Sequence, residues 1–311
     1  MAKNSSATTG KPRKIKKAQY KSFSLQKRIG QQGATLPSAF KLMGSALRIL
    51  RHNWRLFGLI VLIYGVINYV VVQGFSGGLN INEIKGTLSS LFSGKAGSIL
   101  AGLSLFVYMI GTSGMQTNST TGAYQFFWIV IISLALIWAL RQVYAGKRIR
   151  VRDAFYNGMY PFIPFLLVLL VVALQFVPAI LGGILYTSVV NGNLAATDIE
   201  TAIWMVVFAI TILITLYMLT SALFALYIVC LKDMTPMKAL RSARQLVATR
   251  RWLVLRKIVF LPIALFVGGA VCVVPFIIFF APLALPVFLL VTMAGLAVLH
   301  SYLYALYRSL L

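Results

Sequence analysis

The chain has 311 residues, 59% of them hydrophobic and 11% charged, and a mean hydropathy of +0.87, which excludes an ordinary soluble globular domain and places it among membrane proteins. Against 29 Lys and Arg stand five acids, Glu83, Asp153, Asp198, Glu200 and Asp233, for a formal net charge of +24. Such a chain faces something anionic, either lipid head groups or ribosomal RNA and other nucleic acid.

Residues 1–34 are rich in Lys, Ser, Thr, Gly and Gln, and carry nine basic residues and no acid. They read as a disordered basic cytoplasmic tail. The first apolar core begins only near Leu56 and is about 20 residues long, so it is an anchor and not a cleavable signal. Three uses of the tail fit: adhesion to anionic lipid at about 1 kcal/mol per basic residue near the surface, contact with a ribosome or RNA, or setting topology alone.

From Leu36 the pattern becomes helical, with Leu36, Ala39, Phe40, Met43, Leu47 and Leu50 on one stripe and Lys41, Ser45, Arg48, His52 and Arg55 on another. This predicts a cationic amphipathic interfacial helix, with Pro37 in its first turn and Trp54 at the bilayer interface. A first span follows at 56–75, where Gly58 and Gly65 could share a packing face. The outer loop 76–123 is rich in Gly, Ser, Thr and Asn and encloses an apolar run at 99–110. Twelve helical residues rise about 18 Å against a hydrocarbon core of roughly 30 Å, so the run fits a re-entrant or surface helix. The sequon at Asn118 matters only in a eukaryotic secretory pathway.

A second span is expected at 124–140. It is followed by Arg141, Lys147, Arg148, Arg150 and Arg152 and by a second basic elbow at 151–160. The apolar stretch 161–190 would reach about 45 Å as one helix, too long for an upright span, and Pro178 with Gly182 and Gly183 predicts a kink or break in its outer half. Asp198 and Glu200 mark the next short loop, and 201–231 is a fourth span, again longer than a membrane requires.

The third elbow, 232–257, is the most regular. Thr235 is expected to cap it and Pro236 to open it. Ala239, Leu240, Ala243, Leu246 and Val247 form an apolar side, Lys238, Arg241, Gln245 and Thr249 line another, and Arg250, Arg251, Arg256 and Lys257 bracket Trp252. Span five then runs over 252–280 and span six over 285–306, with Pro275, Pro282 and Pro286 marking a tight turn between them. Tyr302, Tyr304, Tyr307 and Arg308 are interface anchors.

With six spans and a cytoplasmic N-terminus, 27 of the 29 basic residues lie inside, leaving Lys85 and Lys95 outside. A seventh span at 99–110 would push the second and third elbows outward, against the positive-inside rule. The expected fold is therefore all-α, a polytopic membrane helical bundle of six transmembrane helices with cationic amphipathic interfacial helices and both termini cytoplasmic.

The run FALYIVCLKDMTPMKALRSARQLVATRRWLVLRKIVFLPIAL, residues 224–265, resembles the bacterial six-span membrane proteins grouped around YciC and the membrane domain of some glycerophosphodiester phosphodiesterases. Ala239, Leu240, Ser242 and Trp252 carry the likeness, the segment 139–170 is similar to the family's central loop, and the span plan from Leu36 onward is compatible. The resemblance implies a multi-pass protein of a bacterial cytoplasmic membrane. It does not imply phosphodiesterase chemistry, which belongs to a separate soluble domain that these residues do not contain.

Catalytic signals are sparse. His52 and His300 have no metal-ligand spacing around them, no cysteine pair is spaced for zinc, and Ser93–Gly97 lacks the glycine spacing of a phosphate loop. Cys230 and Cys272 fall in different expected helices, most of a membrane thickness apart, which argues against a disulfide. Arg256 and Lys257 aside, no charge enters an expected span, which argues against proton or sodium coupling. The reading is a non-enzymatic membrane protein with no catalytic residue, no metal site and no cofactor. Its partners are anionic membrane lipids, and its lipid-headgroup candidates are Arg241, Arg244, Arg250, Arg251, Arg48, Arg51, Arg148 and Arg150. The alternatives are a transporter or permease-like component, with Asn68, Gln125 or Gln175 on a polar path, and a membrane tether that holds a ribosome or RNA through residues 1–34.

Overall fold

The computed structural model describes residues 36–68, Phe106, 119–192, 197–231 and 234–311. Among them the regular structure is helical: α1 (Ala39–His52), α2 (Trp54–Ile67), α3 (Ser119–Tyr144), α4 (Val151–Gly158), α5 (Phe162–Leu174), α6 (Val177–Asn191), α7 (Asp198–Val229), α8 (Pro236–Val247), α9 (Arg251–Phe279) and α10 (Ala281–Leu310). Among the described residues, five helical stretches are long and apolar enough to cross a membrane: Gly122–Tyr144, Phe162–Asn191, Asp198–Val229, Arg251–Phe279 and Pro286–Leu310. The first expected span is described only as far as Asn68, and α2, with 14 residues, rises about 21 Å. The tail 1–34 and most of the loop 76–123 lie outside the described residues.

Helix ends follow local chemistry. The Lys41 N–H donates to Ser38 Oγ at 3.3 Å and so caps α1. Asn53 ends that helix, its backbone N–H and its Nδ2 both donating to the Ile49 carbonyl at 3.1 Å. Gly146 stops α3 at φ 75, a left-handed conformation suited to glycine. The Arg150 N–H donates to the Asp153 carboxylate at 3.2 Å where α4 begins. Thr197 Oγ1 accepts from the Glu200 N–H at 3.4 Å, and Asp198 and Glu200 place negative charge at the positive end of α7. Pro236 opens α8 as expected. Thr235 has extended backbone there, but its side chain makes no capping bond.

Proline explains one interruption and spares two others. The stretch 161–190 breaks at Gln175 and Phe176, ahead of Pro178. A helical proline removes its own N–H bond and pushes against the carbonyl four residues earlier, here that of Leu174, the last residue of α5. The expected break at Gly182 and Gly183 does not occur. Both lie within α6, and Gly182 instead admits Thr211 of α7, with whose side chain a Cβ at that position would collide. Pro275 does not end the fifth span, since it lies inside α9, and the turn is made at Phe280 with Pro282 in the first turn of α10.

Each elbow packs along the end of a long helix: α1 on α10, α4 on α3 and α8 on α7. Their buried faces are narrow, with Leu42 and Ala46 on α1, Ala154 and Gly158 on α4, and Ala239, Ala243 and Val247 on α8. Small residues allow close approach. A Cβ on Gly158 would lie 3.1 Å from Ala135 Cα.

All three elbows gather at one end of the bundle. Arg141 Nη1 donates to the Cys230 carbonyl at 3.2 Å, joining the ends of α3 and α7. Tyr227 Oη and His300 Nδ1 are 3.0 Å apart and buried, joining α7 to α10. Ser301 Oγ donates to the Ala46 carbonyl at 3.2 Å, Tyr302 Oη donates to the Lys257 carbonyl at 3.0 Å, and Lys257 Nζ donates to the Pro37 carbonyl. The main core sits at this end, around Leu134–Leu140 of α3, Phe224 and Ile228 of α7, Val254 and Leu261 of α9, and Tyr302 and Leu306 of α10. Residues 199–218 of α7 are by contrast largely exposed and apolar, whereas 220–229 are almost continuously buried.

A second, smaller cluster lies farther along α9 and α10. Phe106, from the run 99–110, is helical and buried there against Phe266 and Phe288. A Cβ on Gly269 would come within 3.0 Å of its ring. A Cβ on Gly65 would meet Met293 Sδ, whereas none of the described residues lies within 4 Å of one on Gly58, so among them the two glycines of α2 do not share a contact.

Candidate functional site

The break between α5 and α6 leaves Gln175 at the end of a helix that packs on both α7 and α8. Its side chain is nine-tenths buried, and among the described residues its Oε1 has no hydrogen-bond partner. A buried acceptor without a donor costs about 1–3 kcal/mol relative to a satisfied one. Gln175 lines a cavity of about 190 Å³ together with Tyr217, Met218, Ser221, Arg244 and Arg251.

Each wall has a local origin. Tyr217 and Ser221 are four apart on α7 and therefore share a face. The Ser221 hydroxyl donates to the Met218 carbonyl at 3.1 Å, a bond within its own helix. Arg244 is exposed on the last turn of α8, and Arg251 is the first residue of α9. Arg251 Nη1 donates to Tyr217 Oη at 2.5 Å, and its guanidinium carbon lies 4.9 Å from the Tyr217 ring centre. That ring therefore fixes the guanidinium, and because Tyr217 Oη is the acceptor in this bond, its own proton is left to donate. Two guanidinium groups make the cavity anion-seeking.

Of the eight arginines expected to meet head groups, Arg244 and Arg251 come together in this cavity. Arg241 is exposed on α8, and Arg250 is half-buried in the turn before α9. Arg48 and Arg51 are exposed on α1, and Arg148 and Arg150 are exposed just ahead of α4. All eight therefore belong to the elbow end, but they form no single cluster. The sequence reading missed Tyr217, Met218 and Ser221. The available signal was a tyrosine and a serine one turn apart within an otherwise apolar stretch.

The remaining reactive groups have structural surroundings. His52 is exposed on α1, while His300 is buried against Tyr227. Among the described residues no three of His, Cys, Asp and Glu converge as a metal site. Cys230 and Cys272 are both free thiols. Cys230 is half-buried as a residue, but its Sγ faces inward and donates to the Leu226 carbonyl at 3.3 Å. Burial pushes this thiol up to about 12, with the nearby Arg141 opposing the rise. Since the thiolate is the nucleophile, Cys230 is expected to resist maleimide at pH 8 in the folded protein and to react once it is unfolded. Rapid labelling of the folded protein at Cys230 would contradict that environment.

Comparison with protein-family models, with curated proteins and with solved structures finds no match for the chain.

Proposed function

We propose that this is a non-enzymatic, six-span protein of a bacterial cytoplasmic membrane, similar in plan to the YciC-like proteins, whose basic elbows engage anionic lipid at the cytoplasmic leaflet. The observation that carries the reading is the concentration of the eight arginines at one end of the bundle, with Asp198 and Glu200 at the far end of α7. The positive-inside rule turns that asymmetry into an orientation. Parity supports six crossings, since α2 leaves the elbow end and α3 returns to it.

The lengths support the same placement. The exposed residues 199–218 of α7 rise about 30 Å, the thickness of the hydrocarbon core. The buried residues 220–229 then extend beyond it, among the elbows. The length of α7 beyond a membrane's need is taken up by its packing against α8 and α10. Trp54 and Trp252, 65% and 74% exposed, stand beside the elbows where interfacial aromatics belong.

The test uses the full chain in nanodiscs of mixed phosphatidylglycerol and phosphatidylcholine. Native mass spectrometry should find the retained lipid enriched in phosphatidylglycerol, and Gln at Arg48, Arg51, Arg148, Arg150, Arg241 and Arg250 together should lower the enrichment. Retained lipid of bulk composition in the unsubstituted protein would sink the reading.

A further inference from the structure

The cavity at the break between α5 and α6 has a chemistry narrower than a basic surface. We infer that it is a seat for one anionic phospholipid whose head group carries a hydroxyl donor, the chemistry of a glycerol phosphodiester. This rests on the membrane reading above and adds to it a defined site and a single occupant.

Arg244 and Arg251 supply planar forks that suit phosphate oxygens. Tyr217 Oη holds Arg251 and keeps its own proton for a further acceptor. Gln175 Oε1 sets the second requirement, because it is a buried acceptor without a donor among the described residues. A phosphodiester is fully ionised at neutral pH and offers no donor. A donor supplied by the ligand therefore comes from the rest of the head group, as a hydroxyl or an ammonium. Two guanidinium cations in the same cavity repel an ammonium, which leaves the hydroxyl.

Size and position agree. At about 190 Å³ the cavity is smaller than the roughly 300–1,000 Å³ that hold drug-sized ligands, and it suits a head group rather than a whole lipid. It is lined by Tyr217, Met218 and Ser221, where α7 passes from its exposed apolar length to its buried end. Leu213 and Ile214, one turn away on α7, are exposed. Acyl chains can lie along that face while the phosphate sits between the arginines, which is why the occupant is a lipid and not a soluble phosphate ester.

The experiment is collisional release of lipid from the full-length protein, read by native mass spectrometry with phosphatidylglycerol, phosphatidate, phosphatidylcholine, sn-glycerol 3-phosphate and inorganic phosphate as separate probes. One phosphatidylglycerol per chain should persist after the annular lipid has left. Arg244→Gln, at an exposed position that leaves the packing intact, should lower its retention about tenfold or more, the worth of one charged hydrogen bond. Arg251→Gln should do the same. Gln175→Leu should weaken phosphatidylglycerol but leave phosphatidate unchanged. Retention that is unaltered in both arginine variants would overturn the site, as would equal binding of the soluble phosphates. If the six-arginine variant of the previous test still lowers the enrichment, the leaflet reading survives that failure. If the unsubstituted protein shows no anionic preference, both fall together.

Discussion

Phe224→Ala is expected to cost about 3–5 kcal/mol of stability, the usual result of emptying a buried phenylalanine site, whereas Phe279→Ala should stay within about 0.5 kcal/mol. Phe224 is fully buried and Phe279 is 75% exposed. In lipid, an outward side chain exchanges one apolar neighbour for another, and its removal leaves no cavity between helices. Phe224 instead lies in the core that α7 shares with α3, α8, α9 and α10 at the elbow end. Both variants can be compared by unfolding the micelle-bound protein with SDS and following far-UV circular dichroism. Equal losses at the two positions would mean that the core does not sit where the elbows gather.

Much of this arrangement was legible because two periodicities are strong. Apolar length marks 124–140, 161–190, 201–231, 252–280 and 285–306 as spans, and α3, α5 with α6, α7, α9 and α10 occupy those segments. Helical alternation of basic and apolar residues marks the three elbows, and α1, α4 and α8 form there. What periodicity cannot supply is the partner. The stripe with Ala239, Ala243 and Val247 reads equally well against lipid or against protein, and only the fold sets it on α7. The same limit hid the cavity. Arg244 and Arg251 are seven residues apart and Gln175 lies far up the chain, so nothing local connects them. Pro178 is an intermediate case: the break it causes was expected, but its exact seat follows from the Leu174 carbonyl four residues before it.

The closeness of the elbows gives the second large effect, in which one chemical change has opposite signs at two sites. Gly158→Ala should destabilise the protein, and Gly158→Leu should do so more, by about 1–3 kcal/mol for overpacking. A Cβ at Gly158 would stand 3.1 Å from Ala135 Cα and 3.2 Å from the Leu134 carbonyl oxygen. Those are backbone atoms of α3 and cannot rotate away as a side chain can, so α4 itself must shift. Gly44 on α1 has none of the described residues within 4 Å of such a Cβ, and there Gly44→Ala should stabilise by up to about 1 kcal/mol through helix propensity. Thermal unfolding in detergent should therefore move down for the first substitution and up for the second. If Gly158→Ala raised the midpoint as Gly44→Ala does, the contact between α4 and α3 would be loose, and Arg148 and Arg150, just ahead of α4, would not be held in place by it.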